Sequence, residues 1–87
     1  MALIERLMKT ELVTASPAET VRDVANRMDR NGVGAVLIVE GDGDGAKLLG
    51  LFSERDLLQR VVVPGLDPAA TPIQTVMTSD PSSVAPD

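Results

Sequence analysis

Apolar and polar residues change period several times along the chain, and each change marks an element. Ile4 to Lys9 reads as a short lead-in helix or turn, and Glu11 to Ser16 (ELVTAS) has the β-branched content of a short strand. Ser16-Pro17 stops it. In the following stretch, TVRDVANRMDRNG, Val21, Val24, Ala25 and Met28 fall at i, i+3, i+4 and i+7, one stripe of an amphipathic helix. Thr20 with Asp23 three residues on resembles a capping box, and Asn31-Gly32 ends the helix because glycine accepts the left-handed conformation there. Gly34 to Glu40 (GAVLIVE) is an unbroken apolar run of strand length, which predicts burial on both faces. Gly41 to Gly45 (GDGDG) is a loop, and Lys47 to Ser53 (KLLGLFS) is the returning strand of a hairpin. Ser53 opens a second helix, SERDLLQRVV, with Leu57, Leu58, Val61 and Val62 as its inward stripe and Pro64-Gly65 as its stop. Gly65 to Pro72 reads as a linker, and Thr71 is placed to cap a short helix beginning at Pro72.

The predicted order is β-α-β-β-α: an α/β (α+β) fold with a small mixed three-stranded sheet. The first two strands are expected to run parallel through a right-handed crossover, with the third antiparallel. Two helices cover one face of such a sheet. The apolar second strand asks for cover on the other face too, and the described elements leave nothing to supply it. A partner layer is therefore expected, from a second copy or a continuation of the chain.

Composition narrows the chemistry. The 87 residues carry 13 carboxylates against 8 Lys and Arg, a net charge of −5, which argues against a phosphate-backbone binder, so no nucleic acid is expected as partner. With no Cys and no His there are no disulfides, thiolate nucleophiles, imidazole bases or usual zinc sites. With one Phe and no Trp or Tyr there is no stacking platform for single strands. The longest apolar run, AVLIV, falls far short of the ~20 residues of a membrane span, and the charged N-terminal segment does not read as a signal peptide. A cytoplasmic location without membrane contact is the expectation. A chain this short buries only roughly 60–65% of its unfolded surface, which again favours a partner.

One segment carries candidate chemistry. In GLFSERD (Gly50 to Asp56) a strand ends, a hydroxyl sits at the helix start and a carboxylate follows three residues later. Ser53 suits a phosphate or ribose contact, Arg55 a phosphate oxygen, and Asp56 two adjacent ribose hydroxyls. The same S-x-x-D pattern also reads as a plain capping box in which Ser53 and Asp56 bond only the backbone. GDGDG lacks the ligands of a calcium loop, and no phosphate-binding glycine motif occurs. The scattered carboxylates form no acid–base pair, so no catalytic or metal-binding residue is assigned and the chain is not expected to be an enzyme.

Leu7 to Ala18 (LMKTELVTASPA) and Val76 to Asp87 (VMTSDPSSVAPD) match at an offset of 69 at Leu7/Val76, Met8/Met77, Thr10/Ser79, Glu11/Asp80, Thr14/Ser83 and Pro17/Pro86. The element order, this period and GLFSERD together give a chain that resembles a CBS domain, the module named for cystathionine β-synthase, and most of all the small prokaryotic proteins built from a tandem CBS pair. The resemblance implies a first motif with its lead-in over 1–63, a linker over 64–75, and the start of a second motif over 76–87.

The family's ligand motif is a glycine, two apolar residues, Ser or Thr, two residues of any kind, then Asp, and Gly50, Leu51, Phe52, Ser53 and Asp56 fit it without a gap. By resemblance Asp56 takes ribose hydroxyls and Ser53 lies near ribose or phosphate. The first strand and its turn, Val13 to Pro17, line the base, with Thr14 and Pro17 as contacts. The apolar slot is Ala35 to Leu37, where Leu37 stands at a position many members fill with Pro. CBS motifs pair sheet to sheet, so the resemblance implies a homodimer of this chain. Its ligand would be AMP, ADP or ATP, with S-adenosylmethionine as the lesser candidate and no cofactor required. Binding would pass to an unknown effector protein through changed pairing. The alternative is a ligand-free dimerisation or scaffold module.

Overall fold

The computed structural model describes residues 13–41 and 43–79. The lead-in at Ile4 to Lys9, residues 7–12 of the internal match and its second half beyond Ser79 lie outside them. The elements are β1 (Thr14–Ala15), α1 (Val21–Asn31), β2 (Ala35–Glu40), β3 (Lys47–Ser53), α2 (Glu54–Leu57) and β4 (Thr78–Ser79). Strand β1 runs parallel to β2, and β2 antiparallel to β3, as the sequence predicts. The sheet has four strands in the order β1-β2-β3-β4, one more than expected, because residues 78–79 fold back antiparallel on the edge of β3.

Helix α1 begins and ends where its residues dictate. The Thr20 hydroxyl accepts from the Asp23 N–H at 3.2 Å, meeting one of the helix's orphan donors. Gly32, at φ 63°, takes the left-handed position. Its N–H bonds the Asp29 carbonyl and the Val33 N–H bonds that of Met28, the paired closure that a left-handed glycine allows. Val21, Val24 and Met28 are buried against Val36 and Ile38 of β2 and Phe52 of β3.

The second helix departs from the expected stripe. After one α-helical turn it widens into a π turn over Leu58–Val62, closed by the Val63 N–H on the Leu58 carbonyl at 2.9 Å. Val61 is fully buried and Leu57 packs against the core, whereas Leu58 and Val62 are exposed. Four apolar residues at these positions spread over more of the helix surface than one sheet contact can cover, so the stripe divides.

Residues 64–75 are bonded into the unit. Backbone carbonyls of Thr71 and Pro68 accept from the Val21 and Arg22 N–H groups at 2.9 and 3.0 Å, satisfying two more donors at the start of α1. The Ile73 N–H bonds the Glu19 carbonyl at 2.7 Å, and Ile73 and Val76 join the core. The short helix after Pro72 is one 3-10 turn, Ile73–Thr75, without a side-chain cap. Because the turn begins at Ile73, the cap position falls on Pro72, which has no side-chain acceptor, and the Thr71 hydroxyl donates to the Asp67 carbonyl at 2.8 Å, holding the loop.

A polar clamp ties the β1 turn to α1. The Arg27 guanidinium donates to both Glu19 carboxylate oxygens and, at 2.9 Å, to the Thr14 carbonyl. Glu19 also accepts from the Ser16 N–H at 2.8 Å. The Arg27 hydrogen bond, helped by those from Ser16 and opposed by partial burial, holds the Glu19 carboxyl below its ordinary value of 4.5. A folded-state value below the unfolded one contributes stability that is present above the unfolded value and lost as pH falls through the folded one. Glu19→Gln is therefore expected to destabilise the chain by about 0.5–1 kcal/mol at pH 7. Urea titrations on a descending pH series should show that gap closing below the carboxylate range, and a gap that persists unchanged at pH 2 would contradict the assignment.

Candidate functional site

The site is built on the end of β3 and the first turn of α2. Ser53 closes the strand in extended conformation and caps the helix, its hydroxyl accepting from the Asp56 N–H at 3.2 Å. Asp56 returns the bond: Oδ2 accepts from the Ser53 N–H at 3.0 Å and from the Ser53 hydroxyl at 3.1 Å. This is a complete capping box, and Asp56 is the only charged residue among the described residues to be buried, at 7% exposure. Its other oxygen, Oδ1, accepts from the Thr78 hydroxyl of β4 at 3.0 Å, with Arg60 Nε 3.6 Å away. Burial of a carboxylate is tolerated when its oxygens are paired, as they are here.

Gly50 explains why β4 can reach that far. A Cβ at this position would lie 2.4 Å from the Thr78 carbonyl oxygen, a clash no side chain accepts. Arg60 secures the same segment, donating from Nη1 to the Met77 carbonyl at 2.8 Å. Thr78 and Arg60 are site residues the sequence reading did not find. Arg60 stands four residues after Asp56 on one helix, a spacing that favours an ion pair and is visible in the sequence. Thr78 has no such local signal, since its partner lies 22 residues away.

The amide donors at this helix start are largely occupied. The Glu54 N–H bonds the Gly34 carbonyl at 3.0 Å and the Asp56 N–H bonds Ser53. A phosphate would therefore depend on a side chain, and the exposed Arg55 is placed in the first turn of α2.

The register decides which of the expected residues share a surface. Thr14 pairs with Leu37, Leu37 with Leu51, and Leu51 with Thr78, so these four form one row across the sheet. Ala35 pairs with Ser53 on the same face. A bulge between Ile38 and Val39 matches Val39 to Leu48 and adds Leu48 to this face. The opposite face holds Ala15, Val36, Ile38 and Phe52, all in the core under the helices. Thr14, Leu37 and Ser53 thus lie on one open face, while Arg55 and Asp56 stand at its β3 corner. Thr14 and Pro17 are at the far edge, with β2 between them and Ser53. The Pro17 carbonyl is occupied by the Gln74 N–H at 3.2 Å.

No layer covers that open face within the described residues. Leu37 and Val39 are half-buried, and Leu48 and Leu51 are each 39% exposed. A hollow of ≈ 390 Å³ does occur between α1 and the start of α2, lined by Met28, Val33, Leu57, Asp29 and Glu54 among others, but neither Ser53 nor Asp56 lines it. Among the described residues no cluster of acidic groups could hold a metal ion, and no helix is long and apolar enough to cross a membrane.

Comparison with known proteins agrees with this geometry. The family model described as CBS domain matches residues 4–63. The chain is 39% identical over 79 residues to the Arabidopsis thaliana CBS domain-containing protein CBSCBSPB1, covering 90% of this chain and 14% of that protein. It is 31% identical over 80 residues to the Bacillus subtilis CBS domain-containing protein YhcV, covering 92% of this chain and 54% of that protein. Among solved structures, the CBS domain protein PAE2072 from Pyrobaculum aerophilum, complexed with AMP, superposes with a TM-score of 0.71 at 30% identity, over 85% of this chain and 54% of that one. The chain thus spans about half the length of the bacterial and archaeal proteins and a small part of the plant one. With a family match across more than half of its residues, and the strand order and the glycine-to-aspartate motif in place, the chain belongs to the CBS domain family.

Proposed function

We propose that this CBS unit is a regulatory, non-catalytic sensor of an adenosyl nucleotide, AMP, ADP or ATP, working in the cytoplasm. Two copies pair through their open sheet faces, and the ligand lies in the cleft this creates. Asp56 accepts from the ribose hydroxyls, Ser53 sits beside them and Arg55 meets the phosphate. Thr14, Pro17 and Leu37 line the base. Occupancy alters the pairing, and an effector protein reads the change. Residues 76–87 begin a second motif in this reading, with 64–75 joining the two.

The observation that carries the proposal is the position of Asp56: a buried carboxylate at the rim of an uncovered apolar face. The AMP complex of a 30% identical CBS protein supports the ligand class. S-adenosylmethionine shares the adenosine half and is the natural comparison ligand.

Asp56→Asn tests the assignment with the least damage to the fold. Its amide oxygen still accepts from the Ser53 N–H, and its NH₂ can donate to the Thr78 hydroxyl oxygen. It no longer offers a charged acceptor to a ribose. The expected outcome is at least a roughly tenfold loss of AMP affinity by calorimetry, in line with the ~1.5–3 kcal/mol of a hydrogen bond to a charged group. Circular dichroism should show the variant folded. Equal affinity in the variant would reject the role of Asp56.

One observation favours the scaffold reading, in which the unit dimerises without a ligand: Ser53 and Asp56 form a complete reciprocal cap and Thr78 meets the other Asp56 oxygen, so a structural role accounts for all three. A thermal-shift series separates the two. A ligand that binds only the folded state raises the melting temperature with concentration, whereas the scaffold predicts a stable dimer and no shift with any adenosyl compound.

A further inference from the structure

The two oxygens of Asp56 are covered from different sides. Oδ2 is held by Ser53, which is part of the turn itself, so exposing it would undo the start of α2. Oδ1 is covered by the Thr78 hydroxyl at 3.0 Å, and Thr78 belongs to a strand of two residues at the edge of the sheet. That strand is paired to β3 only through Gly50↔Ser79 and Leu51↔Thr78. Just before it, the Arg60 guanidinium donates to the Met77 carbonyl and the Met77 N–H bonds the Ile73 carbonyl at 3.0 Å. The Thr78 hydroxyl is thus both the cover of Asp56 Oδ1 and one of the few contacts that hold β4.

We infer that Thr78 is a gate on the ligand site: a vicinal-diol ligand reaches Asp56 Oδ1 by displacing the Thr78 hydroxyl, and β4 loosens from β3 as it binds. The inference rests on the proposed role of Asp56 as ribose acceptor and adds its regulation. Asp56 is only 7% exposed and the Thr78 hydroxyl already donates to Oδ1, so a ligand hydroxyl competes with that covering group for the oxygen. Opening the Ser53 side sacrifices two reciprocal bonds and a helix cap, whereas opening the Thr78 side exchanges one hydroxyl donor for another. The second route is the cheaper. The exchange also gives ligand occupancy a mechanical output, a looser hold on residues 77–79 at this sheet edge.

AMP titration by calorimetry of the 87-residue chain, Thr78→Val and Thr75→Val tests the gate. Valine keeps the strand preference and removes the competing donor. Thr78→Val is expected to bind AMP about tenfold more tightly, the worth of a hydrogen bond to a charged group. Thr75→Val should match the parent, since the Thr75 hydroxyl bonds only the Pro72 carbonyl of its own turn. Saturating AMP should also speed amide exchange at residues 77–79. Equal or weaker binding by Thr78→Val, or slower exchange at 77–79 with AMP, would overturn the gate while leaving the nucleotide site standing. A parent chain that binds none of AMP, ADP or ATP removes the proposed function itself, and the gate with it.

Discussion

Phe52→Ala should cost about 3–5 kcal/mol of stability. Phe52 is the chain's single aromatic residue, fully buried on the helical face of the sheet opposite Val36. It contacts the core formed by Val21, Val24, Met28, Ile38, Val61 and Ile73. Truncation there removes most of the side chain's transfer energy and leaves a cavity the surrounding strands cannot close. A domain of this length has only about 4–13 kcal/mol in total, so the loss is a large share of it. Urea unfolding followed by circular dichroism measures the change. Val63→Ala serves as the comparison, since Val63 is 74% exposed and should shift the midpoint by no more than about 0.5 kcal/mol. A Phe52→Ala variant within 1 kcal/mol of the parent would place the core elsewhere.

Leu51→Asp is expected to abolish pairing while leaving the single unit folded. Leu51 stands at the centre of the open face, between Leu37 on β2 and Thr78 on β4, and is 39% exposed in the single chain. A carboxylate there remains hydrated in a lone chain. In a sheet-to-sheet pair it becomes a buried charge without a partner, at a cost of several kcal/mol per copy. Because the proposed cleft exists only in the pair, AMP affinity should fall with the dimer. Size-exclusion chromatography with light scattering, followed by calorimetry on the same sample, reads both. A Leu51→Asp variant that elutes as a dimer would show that pairing uses another surface, such as the exposed Leu58 and Val62.

How much of this was legible beforehand depended on whether the signal was local. The start and stop of α1 follow from Thr20 and Gly32, residues that act on their own neighbours. The double-sided character of β2 was visible as an unbroken apolar run, and the uncovered Leu37 and Val39 correspond to it. The Ser53–Asp56 capping box was visible too, because all its bonds lie within three residues. The π turn after Leu57 was hidden, since the i+4 spacing of Leu57 and Val61 serves an α-helix equally well. The folding-back of β4 was also hidden. It depends on the missing Cβ of Gly50, on Arg60 and on a hydroxyl 22 positions from its carboxylate, all of which are non-local. Residues 64–75 looked like a linker because Pro, Gly and Ala dominate them. Their carbonyls in fact complete the N-terminus of α1, a role that leaves no trace in side-chain pattern.

Pairing of two copies through the bare leucine-rich side of the sheet is the central proposal. Static light scattering on the parent chain at tens of micromolar, with and without AMP, tests it most directly. The predicted particle has twice the 9.2 kDa of one chain, and AMP tightens or reshapes it without dissociating it. A folded 9.2 kDa particle in both conditions would contradict the claim.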